Sequence, residues 1–263
     1  MDNMKDTDRS AARRLALLWG LQPWSGRKSR SDLSIEKIIN SAIETADAND
    51  LEALSMRRVA ERLGVGTMSL YTYIPGKEEL IDLMLDAVYG EISRPVNQPE
   101  GWRAKLELIA RENWLLTRRH PWILQISRIR PPLGPNAIAK YDYELTAVDG
   151  IGLSEIEMDS VIDLVNGHVE YVARRRQDAS QVERSTGMTD EQWWEVNGPL
   201  LRGIFDDTRY PVAARVGEAA GEAYGAAYAP EHAFEFGLER VLDGIEVFVR
   251  QRHEELASEA GNG

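Results

Sequence analysis

The chain has 263 residues, of which 43% are hydrophobic and 28% charged, with a formal net charge of −12 and no cysteine. That length is ample for a buried core and leaves room for a small domain joined to a larger one. The lack of cysteine excludes disulfides, thiolate zinc sites and a cysteine nucleophile; no apolar run approaches the ~18 residues of a membrane span, so a soluble cytoplasmic protein with no membrane attachment is expected.

In chain order, residues 1–32 read as a basic arm. Arg9, Arg13, Arg14, Arg27, Lys28 and Arg30 occur there with no acidic residue between the first and the last, interleaved with Trp19, Gly20, Pro23, Trp24 and Gly26. Two readings stand side by side. The arm is a mobile extension whose arginines meet phosphates, or Leu15, Leu17, Leu18 and Trp19 form a short helix packed on the protein with the arginines merely solvated. The apolar stretch from Leu15 to Trp24 is too short, and too closely followed by basic residues, for a signal-peptide core.

Helical spacing begins at Ile35. Ile35, Ile38, Ile39, Ala42, Ile43 and Ala46 fall on one helix face, with Ser34 placed to cap its start. Met56, Val59, Ala60 and Leu63 repeat the pattern between Ser55 as N-cap and Gly64 as a left-handed stop. A short helix is predicted from Thr67 and a further one from about Lys77, carrying Leu80, Ile81, Met84, Leu85 and Val88. The run SRPVNQPEG, Ser93 to Gly101, then breaks the pattern and marks a domain boundary.

Beyond it, Trp102, Leu106, Ile109, Asn113 and Leu116 share a face, as do Ile138, Tyr141, Leu145 and Val148. A helix from about Ser154 to Gln177 carries Met158, Val161, Ile162, Val165, Val169 and Val172; the last helix carries Phe234, Leu238, Val241, Leu242, Ile245, Phe248 and Val249. Between Asp178 and Pro230, glycines and small residues blur the period. No strand alternation appears, so an all-α fold is predicted, with a helix-turn-helix domain over residues 33–92 and a larger helical domain over 100–258.

Charge divides along the same line. The first 77 positions carry +2 and the remaining 186 carry −14, so the acidity belongs to the rear. Local charge is what phosphates respond to, and an acidic rear does not oppose a nucleic-acid contact at the front. Two short helices joined by GVG, Gly64 to Gly66, and preceded by a helix able to pack across both make a helix-turn-helix unit. In TMSLYTY only Leu70 is firmly inward; Thr67, Ser69, Tyr71, Thr72 and Tyr73 offer hydroxyls. An ordinary helical hairpin in a protein-interaction module is the alternative, and DNA binding separates the two.

The order LSMRRVAERLGVGTMSLYTYIPGKEELIDLMLD closely resembles the DNA-binding region of the tetracycline-repressor (TetR) family of bacterial regulators, strongly over Leu33 to Ile92. RHPWI at Arg119 to Ile123 and FEFGLERVLDGIEVFV at Phe234 to Val249 are similar to the helical ligand and dimerisation domain of one branch of that family. The resemblance implies a homodimer on a near-palindromic DNA operator, released by a small-molecule effector. It assigns Thr67, Met68, Ser69, Tyr71 and Tyr73 to the recognition helix, Arg57 to a base contact and Lys77 to a phosphate; Arg58, outside that assignment, reads equally as a solvated surface charge or as a backbone contact.

For the rear domain, spacing alone offers Asn113, Trp114, Tyr141, His168 and Tyr171 as effector contacts, each equally readable as a satisfied core residue. Gly237 and Gly244, with Leu238, Val241 and Ile245, are expected to face a partner helix. His120, His168, His232 and His253 form no paired metal-ligand spacing, and Gly217, Gly221 and Gly225 are four apart rather than in a nucleotide-binding pattern. No catalytic residue, metal or cofactor is expected, and the chain does not read as an enzyme.

Overall fold

A computed structural model describes residues 11–21, 33–95, 99–127, 131–226 and 228–261. Regular structure among them is entirely helical: α1 (residues 11–18), α2 (Ile35–Asn49), α3 (Met56–Leu63), α4 (Thr67–Tyr71), α5 (Lys77–Tyr89), α6 (Trp102–Arg119), α7 (Pro135–Leu145), α8 (Glu155–Thr186), α9 (Asp190–Ile204), α10 (Pro211–Tyr224) and α11 (Pro230–Gly261). Short 3-10 turns follow α2 and α6.

The front helices begin and end for local chemical reasons. Ser34 Oγ accepts from Lys37 N–H at 3.2 Å and Ser55 Oγ from Arg58 N–H at 3.2 Å, satisfying donors that the first helical turn leaves open. Gly64 ends α3 at φ 67°, ψ 29°, a conformation that costs glycine least. Ile38, Val59, Leu70, Ile74, Leu80 and Met84 then close one core beneath α2 to α5.

A second core lies among α6, α8 and α11, built from Leu106, Ile109, Val165, Val169, Phe234, Leu238 and Ile245. Leu238 and Ile245 are thus buried within their own chain, and Val241 packs partly against the same cluster, rather than offering a surface to a partner. Gly237 also serves this packing: a Cβ there would lie 2.2 Å from the His168 ring of α8. Gly244 faces open space. The helix predicted to end near Gln177 runs to Thr186, 32 residues or about 48 Å.

Helix α7 departs from its expected face. Ile138 and Tyr141 are exposed, whereas Lys140 and Glu144 are its buried residues. The reason is that the charged pair neutralises itself between helices, while the apolar side opens onto a pocket described below. Helices α9 and α10, in the stretch where periodicity faded, bury none of their residues and expose Trp193, Leu200, Ile204, Val212 and Val216.

The two cores meet at a polar seam. Asp86 of α5, itself buried, accepts from Ala137 N–H at 2.9 Å and Asn136 Nδ2 at 3.1 Å, capping α7 from outside. Burial raises its pKa, partly offset by those hydrogen bonds. Across the seam, the His120 ring lies 2.8 Å from Asp47 of α2 and 3.0 Å from Glu91, and Trp122 Nε1 donates to Asp47 at 2.7 Å.

Helix α1 matches the packed reading of the N-terminal arm in part, since Leu17 and Leu18 pack while Leu15 and Trp19 stay exposed and Arg14 is ion-paired rather than merely solvated. Leu17 and Leu18 are buried in the front core, Arg14 pairs with Asp82 of α5 at 2.9 Å, and Trp19 Nε1 donates to Leu133 O at 2.8 Å. Arg9, Arg27, Lys28 and Arg30 lie outside the described residues.

Two predictions follow from this packing. Deleting residues 1–21 removes two buried leucines worth roughly 1.5–3 kcal/mol each, so the melting temperature should fall by several degrees at about 2–4 °C per kcal/mol; an unchanged midpoint would rule out a structural role for α1. Gly134→Ala places a Cβ 2.2 Å from Asp86 Oδ1 and should break the α7 cap, costing roughly 1–3 kcal/mol in denaturant titration. The cost should be non-additive with Asp86→Ala; additive losses would show that the two residues act separately.

Candidate nucleic-acid interface and effector pocket

At the front, α4 presents its outer side to solvent. Met68 is 77% and Tyr71 44% exposed, Ser69 is exposed and Thr67 half-buried, while Leu70 anchors the helix in the core. Arg57 stands on the neighbouring helix with only a 3.6 Å approach to Glu61, its side chain 81% exposed. These groups form one surface of hydroxyls, a thioether and a guanidinium, the chemistry that meets base edges and phosphates.

The remaining expected contacts are more tied down. Arg58 Nη1 donates to Ala53 O at 3.3 Å and Lys77 Nζ to Leu51 O at 3.3 Å, both from exposed side chains at the edges of this surface. Tyr73 is half-buried, packs against the front core and donates its hydroxyl to Leu33 O at 3.2 Å. Its position fixes the entry to α2 as much as it offers a contact.

At the rear, a cavity of about 470 Å³ opens between α7 and α8, walled by Tyr89, Leu133, Ile138, Tyr141 and Ile162. Its volume falls within the range of small-molecule sites. Lys140 and Glu144 close its inner side. Lys140 Nζ donates to Glu144 Oε1 at 2.5 Å, Asn113 Nδ2 donates to Glu144 Oε1 and Asn166 Oδ1 at 2.7 Å each, and Asn166 Nδ2 donates to Glu144 Oε2 at 3.1 Å. Four buried polar groups from three helices thereby satisfy one another.

Burial pushes the Glu144 carboxyl upward, but the Lys140 charge and the hydrogen bonds outweigh it and hold the carboxyl below its ordinary value. A depressed folded pKa means that Glu144 contributes stability above the unfolded value near 4.5, lost as pH falls through the lower folded one.

The structure distributes the five residues offered by spacing. Tyr141 lines the cavity and donates to Asp159 at 2.7 Å, and Asn113 supports it through Glu144 and lines a smaller adjoining void. Trp114 stacks on Phe234 with ring centroids 4.9 Å apart, and His168 Nε2 lies 3.0 Å from Phe234 O in the packing of α8 on α11. Tyr171 is exposed elsewhere on α8. Sequence reasoning passed over Lys140, Glu144 and Asn166. The signal available was a lysine and a glutamate four apart on α7, which helical spacing makes neighbours.

Residues 38–84 match the family described as bacterial regulatory proteins, tetR family, and residues 94–249 match the tetracyclin repressor-like C-terminal domain. The HTH-type transcriptional repressor DrrR1 of Streptomyces coeruleorubidus is 44% identical over 247 residues, covering 94% of this chain and 89% of that protein. An HTH-type transcriptional regulator of Saccharopolyspora erythraea is 30% identical over 190 residues, 70% of this chain and 80% of its own length. The solved structure of ActR from Streptomyces coelicolor in complex with actinorhodin shares the fold at a TM-score of 0.66 and 26% identity, covering 81% of this chain and 95% of ActR. With both of its domains matched and nearly its whole length aligned to a known repressor, the chain belongs to the TetR family of bacterial transcriptional regulators.

Proposed function

We propose that the protein is a ligand-responsive repressor acting in the cytoplasm, which binds a near-palindromic operator as a homodimer and releases it when a small molecule occupies the α7–α8 cavity. The observation that carries this reading is the seam: Asp86 joins the last helix of the DNA-binding domain to the first wall of the cavity. A ligand that moves α7 has a direct mechanical path to α5. The repressor relative supports the direction of control, and the ActR complex supports a small-molecule effector in a chain of this shape.

Outer helix faces supply the dimer contact in this reading. Ile156, Leu164 and Tyr171 share an exposed face of α8, and Phe236 and Val247 an exposed face of α11 on which Gly244 leaves room for close approach. Two-fold repetition of that surface sets two copies of α4 side by side for half-sites about one helical turn apart.

Selection of bound duplexes from a random pool tests the reading, and recovery of an inverted repeat is the expected result. On the selected duplex, Arg57→Ala should cost roughly 1–3 kcal/mol and relax preference at one base pair, whereas Lys77→Ala should weaken all sequences alike and flatten the salt slope. Operator affinity within twofold of wild type for both Arg57→Ala and Tyr71→Ala would place the recognition surface elsewhere. Separately, Leu164→Asp combined with Val247→Asp should yield monomers in sedimentation at micromolar concentration. A double variant that still sediments as a dimer would move the interface off these faces.

A further inference from the structure

A second cleft lies away from the α7–α8 cavity. It holds about 450 Å³ between the C-terminal end of α2, the last turns of α6 and the far half of α8. Its character follows from the register of α8. The stripe that enters the rear core as Val165, Val169, Val172 and Ala173 continues at helical spacing as Arg176, Gln177, Ser180, Gln181 and Arg184. Past the end of the core, the same face becomes polar and cationic.

Charge within the cleft is unevenly satisfied. Arg118 has no carboxylate partner among the described residues, Arg176 only approaches Glu231 at 4.0 Å, and Arg184 donates only to Gln181 at 2.9 Å. The two carboxylates on the opposite wall are already engaged: Asp47 accepts from Trp122 at 2.7 Å, and Asp50 accepts from Gln125 at 2.6 Å. Between these walls runs an apolar floor of Ala46, Trp114, Leu124 and Ala173. Guanidinium forks suit carboxylate, sulfonate and phosphate oxygens, and glutamine and serine add neutral donors.

We infer that this cleft is a second small-molecule site, for an organic acid with one anionic headgroup and an apolar body. The headgroup meets Arg118, Arg176 and Arg184, and the body lies on Trp114 and Leu124. Because Ala46 to Asn49 belong to α2 of the DNA-binding domain, Asp50 caps that helix and Arg176 to Arg184 belong to α8, an occupant ties the two domains together at a place remote in the chain from the Asp86 seam. None of the lining residues belongs to α3, α4 or α7.

The test uses the full chain without DNA, so its failure is independent of the operator reading. The probe is 8-anilinonaphthalene-1-sulfonate, followed by fluorescence at low ionic strength and displaced by benzoate or by benzylamine. Saturable binding displaced by benzoate but not by benzylamine is expected. Substitution of Arg118, Arg176 and Arg184 by glutamine should weaken that binding at least tenfold, and substitution of all three by lysine should restore most of it. Substituting Arg202, Arg209 and Arg215 by glutamine removes the same charge from the α9–α10 region and should leave affinity within twofold. Equal affinity in the wild type and the first variant, equal loss in the control variant, or displacement by benzylamine as readily as by benzoate would overturn the assignment. Unchanged melting of the glutamine variant separates lost binding from lost fold.

Discussion

The capping of α7 by Asp86 is the contact on which the relation between the two domains depends. A carboxylate taken out of water carries a desolvation cost, and here it is retained because α7 begins with backbone donors that need an acceptor. The arrangement makes α5 a member of both domains: its Leu80 and Met84 face close the front core, and Asp86 holds the rear helix that walls the cavity. Gly134 completes it, since no side chain fits between α7 and the carboxylate. Hundredfold control of operator affinity needs only about 2.7 kcal/mol of coupling, and a few hydrogen bonds that differ between two positions of α7 are of that size.

Much of this was legible from residues alone. Ser34, Ser55 and Gly64 announced their helix boundaries because caps and stops are local chemistry, decided within four residues. The face of α7 was misread because hydrophobic spacing assumes that polar groups seek water; Lys140 and Glu144 instead neutralise each other with help from Asn113 and Asn166, which are distant in the chain. The same limit applies to Gly237. A glycine seven residues from another suggests close approach by some helix, but whether the neighbour is α8 of the same chain is decided by tertiary packing. The extent of α8 was underestimated because its apolar stripe stops at Ala173 while the helix goes on.

The conflict between an acidic chain and a surface shaped for a polyanion resolves by location. Some carboxylates in the rear pair internally, as where Arg103 meets Asp243 at 2.6 Å and Arg111 meets Glu235 at 2.6 Å, and the acidic excess stays in that part of the chain, away from α4. In the front, Arg14 is held by Asp82 and Glu78, so it serves the fold, whereas Arg57 keeps its guanidinium in solvent. Basic residues of the same front part of the chain therefore have different duties.

Helices α9 and α10 have fifteen and fourteen residues and bury none of them in their own protomer. Helices of that length are marginal by themselves in water, and a proline inside α9 weakens it further. A surface that covered Trp193, Leu200 and Val212 would supply the order they lack, and order supplied by association obeys mass action. Abundance becomes a structural variable. If a second copy is what covers these residues, dilution uncovers this part of the chain before any other, and fraying and proteolysis would begin there.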